Sequence, residues 1–364
     1  MIVKPLPLPF YAKLALLLVG LIAIGFLIII GKDFLDPLMF GFLFAILLLP
    51  IGGFLERRLK LHRSVATFLS IFLLIAFVTG IFYLVGSQVT NLTDDWPQLK
   101  AQISNSSVDL ENWVAHTFHI NRHNQLTYIH NTTSKIVASG TAVVGTTFGA
   151  LSGLALFFSF IMIFTFLIMI YRRLLFRFVL QVCPKDSEPV VHDIMENIQK
   201  ILRQYILGLL LEMTIVASVA CLAFWLIGIK YAALLGILTG LFNLIPYIGI
   251  FTALLLSTLI TFATGAISKA LIVAICVICI HLTDANILLP LIVGSKVRLN
   301  ALVTFLGIVI GESIWGLSGM FLSIPTIAIL KIIFDRIEDL KPWGFLLGGD
   351  YEYNKEAEKD MKTE

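Results

Sequence analysis

Charge is scarce in this 364-residue chain: Asp, Glu, Lys and Arg make up 13% of it, against roughly 25% in an ordinary soluble domain. With 58% hydrophobic residues and a mean hydropathy of +0.95, that shortage excludes a water-soluble core. The membrane span, and not the soluble domain, is therefore the unit to count. The net charge of +3 is small, so nucleic acid is not expected as a partner. Cysteine is equally sparse. Cys183, Cys221, Cys276 and Cys279 are too few and too scattered for a disulfide framework, and they read as small hydrophobes. Cys276 and Cys279 with His281 lack a fourth ligand at the usual spacing, so no metal is expected. The chain also lacks a His-Glu-x-x-His motif and a Gly-x-Ser-x-Gly elbow, which argues against an enzyme, and no cofactor is expected.

What the chain has in abundance is long apolar runs. About 20 such residues cross a hydrocarbon core of roughly 30 Å, which gives six spans near residues 11–31, 34–55, 64–88, 149–171, 205–228 and 270–290. The run from Leu14 to Ile30 is too long for a signal peptide and is followed by no small-residue cleavage site, so it counts as a span. Two further stretches, 232–264 and 300–333, are about 33 residues each, short of the roughly 40 that two crossings need. Helix breakers interrupt both. The expected fold is an all-α polytopic membrane protein: six full transmembrane helices plus two re-entrant helical hairpins of half-length helices, with a small helical extracytoplasmic segment.

Orientation follows from basic residues in short loops. Arg57, Arg58, Lys60 and Arg63 mark one loop as cytoplasmic, and Arg172, Arg173, Arg177, Lys185, Lys200 and Arg203 mark another, so both termini fall inside. Five regions are expected: residues 1–89 with three transmembrane helices; 90–148 as an extracytoplasmic segment of amphipathic helices; 149–203 as the fourth span and a cytoplasmic linker; 204–341 as a transport core; and 342–364 as a cytoplasmic docking segment and disordered tail. Within the core, Leu226 to Lys230 resembles Ile292 to Lys296, and Gly236 to Gly240 resembles Gly307 to Gly311. Two copies entering from opposite faces form an inverted pair, the architecture of many secondary transporters.

Lipid cannot hydrate a broken helix, so breaks belong beside protein or a wet cavity. The first break is Asn243-Leu-Ile-Pro246-Tyr247-Ile-Gly249, approached through Gly240. The second is Gly311-Glu312-Ser313-Ile-Trp315-Gly316-Leu-Ser318-Gly319, followed by Pro325. Acids inside spans are costly, about 2.5 to 3.5 kcal/mol each, and mark functional sites by default. Glu212 lies about 10 Å into the fifth span, Asp284 about 9 Å from the end of the sixth, and Glu312 within the second hairpin. His281 shares a helix face with Asp284, while Asn286 projects elsewhere. Such carboxylates are candidates to bind H⁺ or Na⁺, with hydrogen bonding or an ion pair to Arg203 or Lys296 as the structural alternative.

Four strings carry a resemblance: Tyr205-Ile-Leu-Gly208, Asn243 to Gly249, Asp284-Ala-Asn286-Ile-Leu-Leu-Pro290-Leu-Ile-Val-Gly294, and Gly316-Leu-Ser-Gly319-Met-Phe-Leu-Ser-Ile-Pro325. In order along nearly the whole chain, they resemble the autoinducer-2 exporter family, the PerM-like permeases. The resemblance implies a bacterial cytoplasmic-membrane transporter, homo-oligomeric, with members linked to export of small signalling molecules and others to Na⁺/H⁺ exchange. The chain departs from the family pattern at His281 and Asp284, where Gln and Glu are frequent, and at Asn300-Ala301, where a His-Pro pair is frequent. The expected function is a permease or exporter of a small polar solute coupled to H⁺ or Na⁺. A passive oligomeric channel and a Na⁺/H⁺ antiporter without organic substrate are the alternatives.

Overall fold

The structure is a computed structural model that describes residues 9–94, 153–246, 248–264, 267–294 and 299–348. The expected extracytoplasmic helices after Asp94, and the tail beyond Gly348, lie outside the described residues, as do Tyr247 and Lys296. Among the described residues there is no strand. Among the described residues, seven helices are long and apolar enough to cross a membrane.

The first four are α1 (Phe10–Ile30), α2 (Lys32–Arg58), α3 (Arg63–Asp94) and α4 (Gly153–Val182). α1 buries no residue at all, as an apolar helix can when lipid covers it. α2 instead buries a stripe including Leu43, Ala45, Ile46 and Leu48 against α3, α4, α5 and α10.

α5 (Glu188–Ile227) is the axis of the molecule, because it supplies residues to two of the three apolar cores. It runs 40 residues, about 60 Å. The sequence pattern places a linker up to residue 203 and a span from 205, whereas the structure has one unbroken helix. Asp193, Glu196, Lys200 and Arg203 set where the helix leaves lipid, not where it ends, since no breaker follows Pro189 in its first turn. Gly228, at φ +76°, closes it, and the N–H groups of Gly228 and Ile229 bond to the Trp225 and Phe224 carbonyls.

α6 (Ala232–Phe242) turns back along α5. Small residues allow the approach: a Cβ on Gly236 would strike Cys221, and one on Gly240 would strike Ala217 and the Met213 carbonyl. Rising numbers in α6 thus meet falling numbers in α5, and the break after Phe242 sits level with Glu212. α7 (Ile248–Thr264) leads away from that level and packs against α8 (Ile267–Thr283), whose start is tied to the α5–α6 turn by Lys269 Nζ donating to the Gly228 carbonyl at 3.1 Å. α8 then widens into two π turns, Asp284–Leu288 and Pro290–Gly294. Pro290 lacks the N–H for a normal rung and crowds the preceding carbonyls, and a wider turn relieves both.

α9 (Ala301–Trp315) and α10 (Leu317–Arg336) form an antiparallel hairpin joined at Gly316, φ +66°. The expectation of two half-length helices needs correction, because α10 has 20 residues, about 30 Å, and is one of the seven span-length helices. Pro325, expected as a break, lies buried inside continuous α10 and only removes one rung. The tip of this hairpin rests on the turn between α1 and α2. Trp315 Nε1 donates to the Ile28 carbonyl at 3.1 Å, and Ser318 hydrogen-bonds Asp36. A short α11 (Lys341–Gly348) packs back on α10.

Candidate functional site

Three residues that the sequence places in separate segments meet at one point. Glu212 is 2% exposed at the middle of α5, and Asp284 is 3% exposed where α8 widens. Asn243, just past the end of α6, stands between them. Its single amide nitrogen donates to Glu212 Oε1 at 3.1 Å and to Asp284 Oδ2 at 3.0 Å. The two carboxyls are also within hydrogen-bonding reach of each other. Each keeps one buried oxygen, Glu212 Oε2 and Asp284 Oδ1, that no donor reaches. Carboxylates only accept hydrogen bonds when ionised. Two of them facing one another away from water therefore want a proton or a cation between them.

The local chain geometry explains the convergence. Asn243 is held by its N–H to the Thr239 carbonyl, at 3.1 Å, so the chain leaves α6 with the amide aimed at α5 and α8. The chain then turns sharply through Pro246, whose carbonyl accepts from the Ile248 N–H at 2.7 Å. Gly249 is needed at this turn, because a Cβ there would overlap the Phe242 carbonyl. On the other side, the Leu289 N–H reaches back five residues to the Asp284 carbonyl. The widened turn that Pro290 imposes is thus the turn that carries the acid.

Beside the pair lies a small cavity with only about 10 Å³ for the centre of a water, room for roughly one water molecule or a bare ion. Thr239, Asn243, His281 and Asp284 supply its polar atoms, and Val216, Ile250, Ala253, Val277 and Ile280 its apolar walls. His281 Nδ1 is buried without a partner. α7 adds two more orphaned hydroxyls, on Thr258 and Thr261.

The other sequence candidates stand apart. Asn286 is exposed and bonds the Leu282 carbonyl of its own helix. Glu312 and Ser313 are exposed on α9, Ser313 donating to the Val309 carbonyl, and neither lines the cavity. Gly311 and Gly319 serve packing: each would drive a Cβ into the other's carbonyl, so the α9–α10 backbones touch. Sequence reasoning missed Asp36, which is 5% exposed with Oδ1 unpartnered and meets Ser318 at the hairpin tip. The available signal was an acid four residues after Lys32 and just before Pro37, inside an apolar run. It reads instead as the edge of a span. Among the described residues no cluster of His, Cys, Asp and Glu is arranged to hold a metal.

The sequence model describing the AI-2E family transporter matches residues 14–339. Relatives in Bacillus subtilis strain 168 include "Putative transport protein YrrI", 26% identical over 92% of this chain and 97% of its own length, and "Putative transport protein YueF", 24% identical over 86% of each. "Putative permease PerM" of Escherichia coli K12 is 26% identical over 57% of this chain and 60% of its own.

Proposed function

The chain belongs to the AI-2E family of transporters, and from that premise we propose that it moves a small polar solute across a bacterial cytoplasmic membrane, driven by H⁺ or Na⁺ held between Glu212 and Asp284. An autoinducer-like signalling molecule is one such solute. The observation that carries the reading is the buried carboxyl pair sharing one amide.

Occupancy of that pair has a mechanical consequence. Two ionised carboxylates this close repel strongly in a low-dielectric interior, and the two N–H bonds from Asn243 offset only part of that. A proton or Na⁺ removes the repulsion, and its departure restores it. Because Asn243 begins the break between α6 and α7, the charge state of the pair acts directly on that segment. We read α6 and α7 as a re-entrant hairpin whose tip closes over the site and opens when the ion leaves. The transport core, residues 204–341, then alternates access around a fixed point. The small cavity is consistent with an occluded form, and its size weighs against steady conduction through a passive channel. The same size favours a second reading, Na⁺/H⁺ exchange without an organic solute. Basic residues near Arg57 and Arg172 orient both termini inward.

Reconstitution tests this. Vesicles holding the protein are expected to take up labelled solute, or ²²Na⁺, when a proton or sodium gradient is imposed. Glu212→Gln and Asp284→Asn should each bring that gradient-driven flux to the level of empty vesicles. Undiminished, gradient-independent flux in both variants rejects ion coupling at this pair. ²²Na⁺ movement against an opposing proton gradient, with no added solute, selects the antiporter reading.

A further inference from the structure

A much wider hollow lies far from the carboxyl pair. It is about 1070 Å³, at the upper end of ordinary small-molecule sites, and lies between α2, α4, α5 and α10. Its α2 wall begins at Leu38 and continues through Phe42, Ala45, Ile46 and Leu49. From Leu38 to Leu49 the wall is apolar for about 16 Å, close to the roughly 15 Å of hydrocarbon in one leaflet. Ile168 and Met169 of α4, Ile198 of α5 and Ile329 of α10 face it across the gap.

At one end the lining changes to charge. Glu56 and Arg57 of α2, Arg172 and Arg173 of α4, and His192 and Glu196 of α5 ring the mouth. Glu56 is already taken: both its oxygens accept from Arg172, at 3.0 and 2.8 Å. Arg57 and Arg173 are exposed and have no hydrogen-bond or ion-pair partner among the described residues. His192 packs edge-on against Phe176 with ring centres 4.8 Å apart, bridging α5 and α4 at this mouth. Gly53 lines the groove, and a Cβ there would meet only open space.

We propose that this groove is a binding site for an anionic phospholipid of the cytoplasmic leaflet, its acyl chains along α2 and its phosphate between Arg57 and Arg173. The inference rests on the inward orientation of the basic end adopted above, and not on ion coupling at Glu212. Charge and shape select the occupant together. Free phosphate would use the arginines but leave the apolar walls empty. A zwitterionic lipid would fill the walls but return no net charge to two unpaired guanidinium groups. Basic pockets between transmembrane helices on the cytoplasmic side hold anionic headgroups in this way.

The test is native mass spectrometry of the full-length protein, delipidated in detergent and titrated with phosphatidylglycerol or phosphatidylcholine of matched chains. Wild type is expected to prefer phosphatidylglycerol. Arg57→Gln with Arg173→Gln should weaken phosphatidylglycerol about 30-fold, at roughly fivefold for each basic residue, and leave phosphatidylcholine unchanged. The Glu56–Arg172 pair stays intact in that variant. Gly53→Leu, which fills open space, should weaken both lipids and serves where the double variant does not fold. Equal binding of the two lipids by wild type overturns the proposal, as does unchanged phosphatidylglycerol binding in both variants. Displacement of the lipid by millimolar inorganic phosphate alone reduces the site to a headgroup contact and also overturns it. A change of oligomeric mass in Gly53→Leu with lipid binding intact assigns the groove to a second copy of the chain instead.

Discussion

Asn243 is the only donor to either carboxylate of the buried pair that the hydrogen bonds of the described residues record. Asn243→Ala removes both bonds at once, and a charged acceptor left unsatisfied in an interior costs about 1 to 3 kcal/mol or more. The variant is expected to unfold at a lower temperature in detergent, and Glu212→Gln added to it should restore part of the loss by supplying an amide donor. No recovery in the double variant would mean that the amide acts on packing and not on the carboxylates. Surface acids behave differently. Asp193 pairs with Arg336, with side chains 49% and 39% exposed, and such a pair contributes only about 0 to 1 kcal/mol. Asp193→Asn should leave the melting temperature nearly unchanged.

Among the elements, the two interrupted segments were visible in the sequence as places where helices break, and the reason is physical: Pro246 with Gly249, and Gly316, are residues that a continuous apolar helix has no use for. What the sequence did not carry was length. Pro325 reads as a breaker, yet helix α10 runs through it from Leu317 to Arg336, because neighbouring helices cover the missing rung. The charged stretch from Asp193 to Arg203 reads as a loop, yet it continues α5, since polarity reports solvent and not helix ends. Convergence of Glu212, Asn243 and Asp284 was legible as a list of costly groups but not as a cluster, because distance across three elements leaves no trace in spacing. Glu312 had the same cost in sequence and lies elsewhere, and Asp36 had it and went unread. The turn at Gly316 gives a direct check of the second hairpin. Its φ of +66° and ψ of −138° lie in a region nearly reserved for glycine, so Gly316→Ala is expected to cost about 1 to 3 kcal/mol. Denaturant titration in detergent measures this, and a neutral result would mean the tip adopts another conformation.

For the whole molecule, orientation is the property on which solute direction and the lipid groove both depend. In a background with all four cysteines replaced by serine, Lys60→Cys is expected to react with a membrane-impermeant maleimide only in inside-out vesicles, and Lys230→Cys only in right-side-out ones. The opposite pattern would invert every assignment of side made from the basic loops.

α5 is also a rigid rod that joins two places with different chemistry. Nineteen residues separate Glu212 from Asp193 along it, about 28 Å. A tilt of about 5° pivoting at the acid would swing the far end by about 2.5 Å, enough to part Asp193 from Arg336. A spin-label pair placed where that contact is made would therefore report, from outside the lipid, any tilt of α5 about a point deep within it.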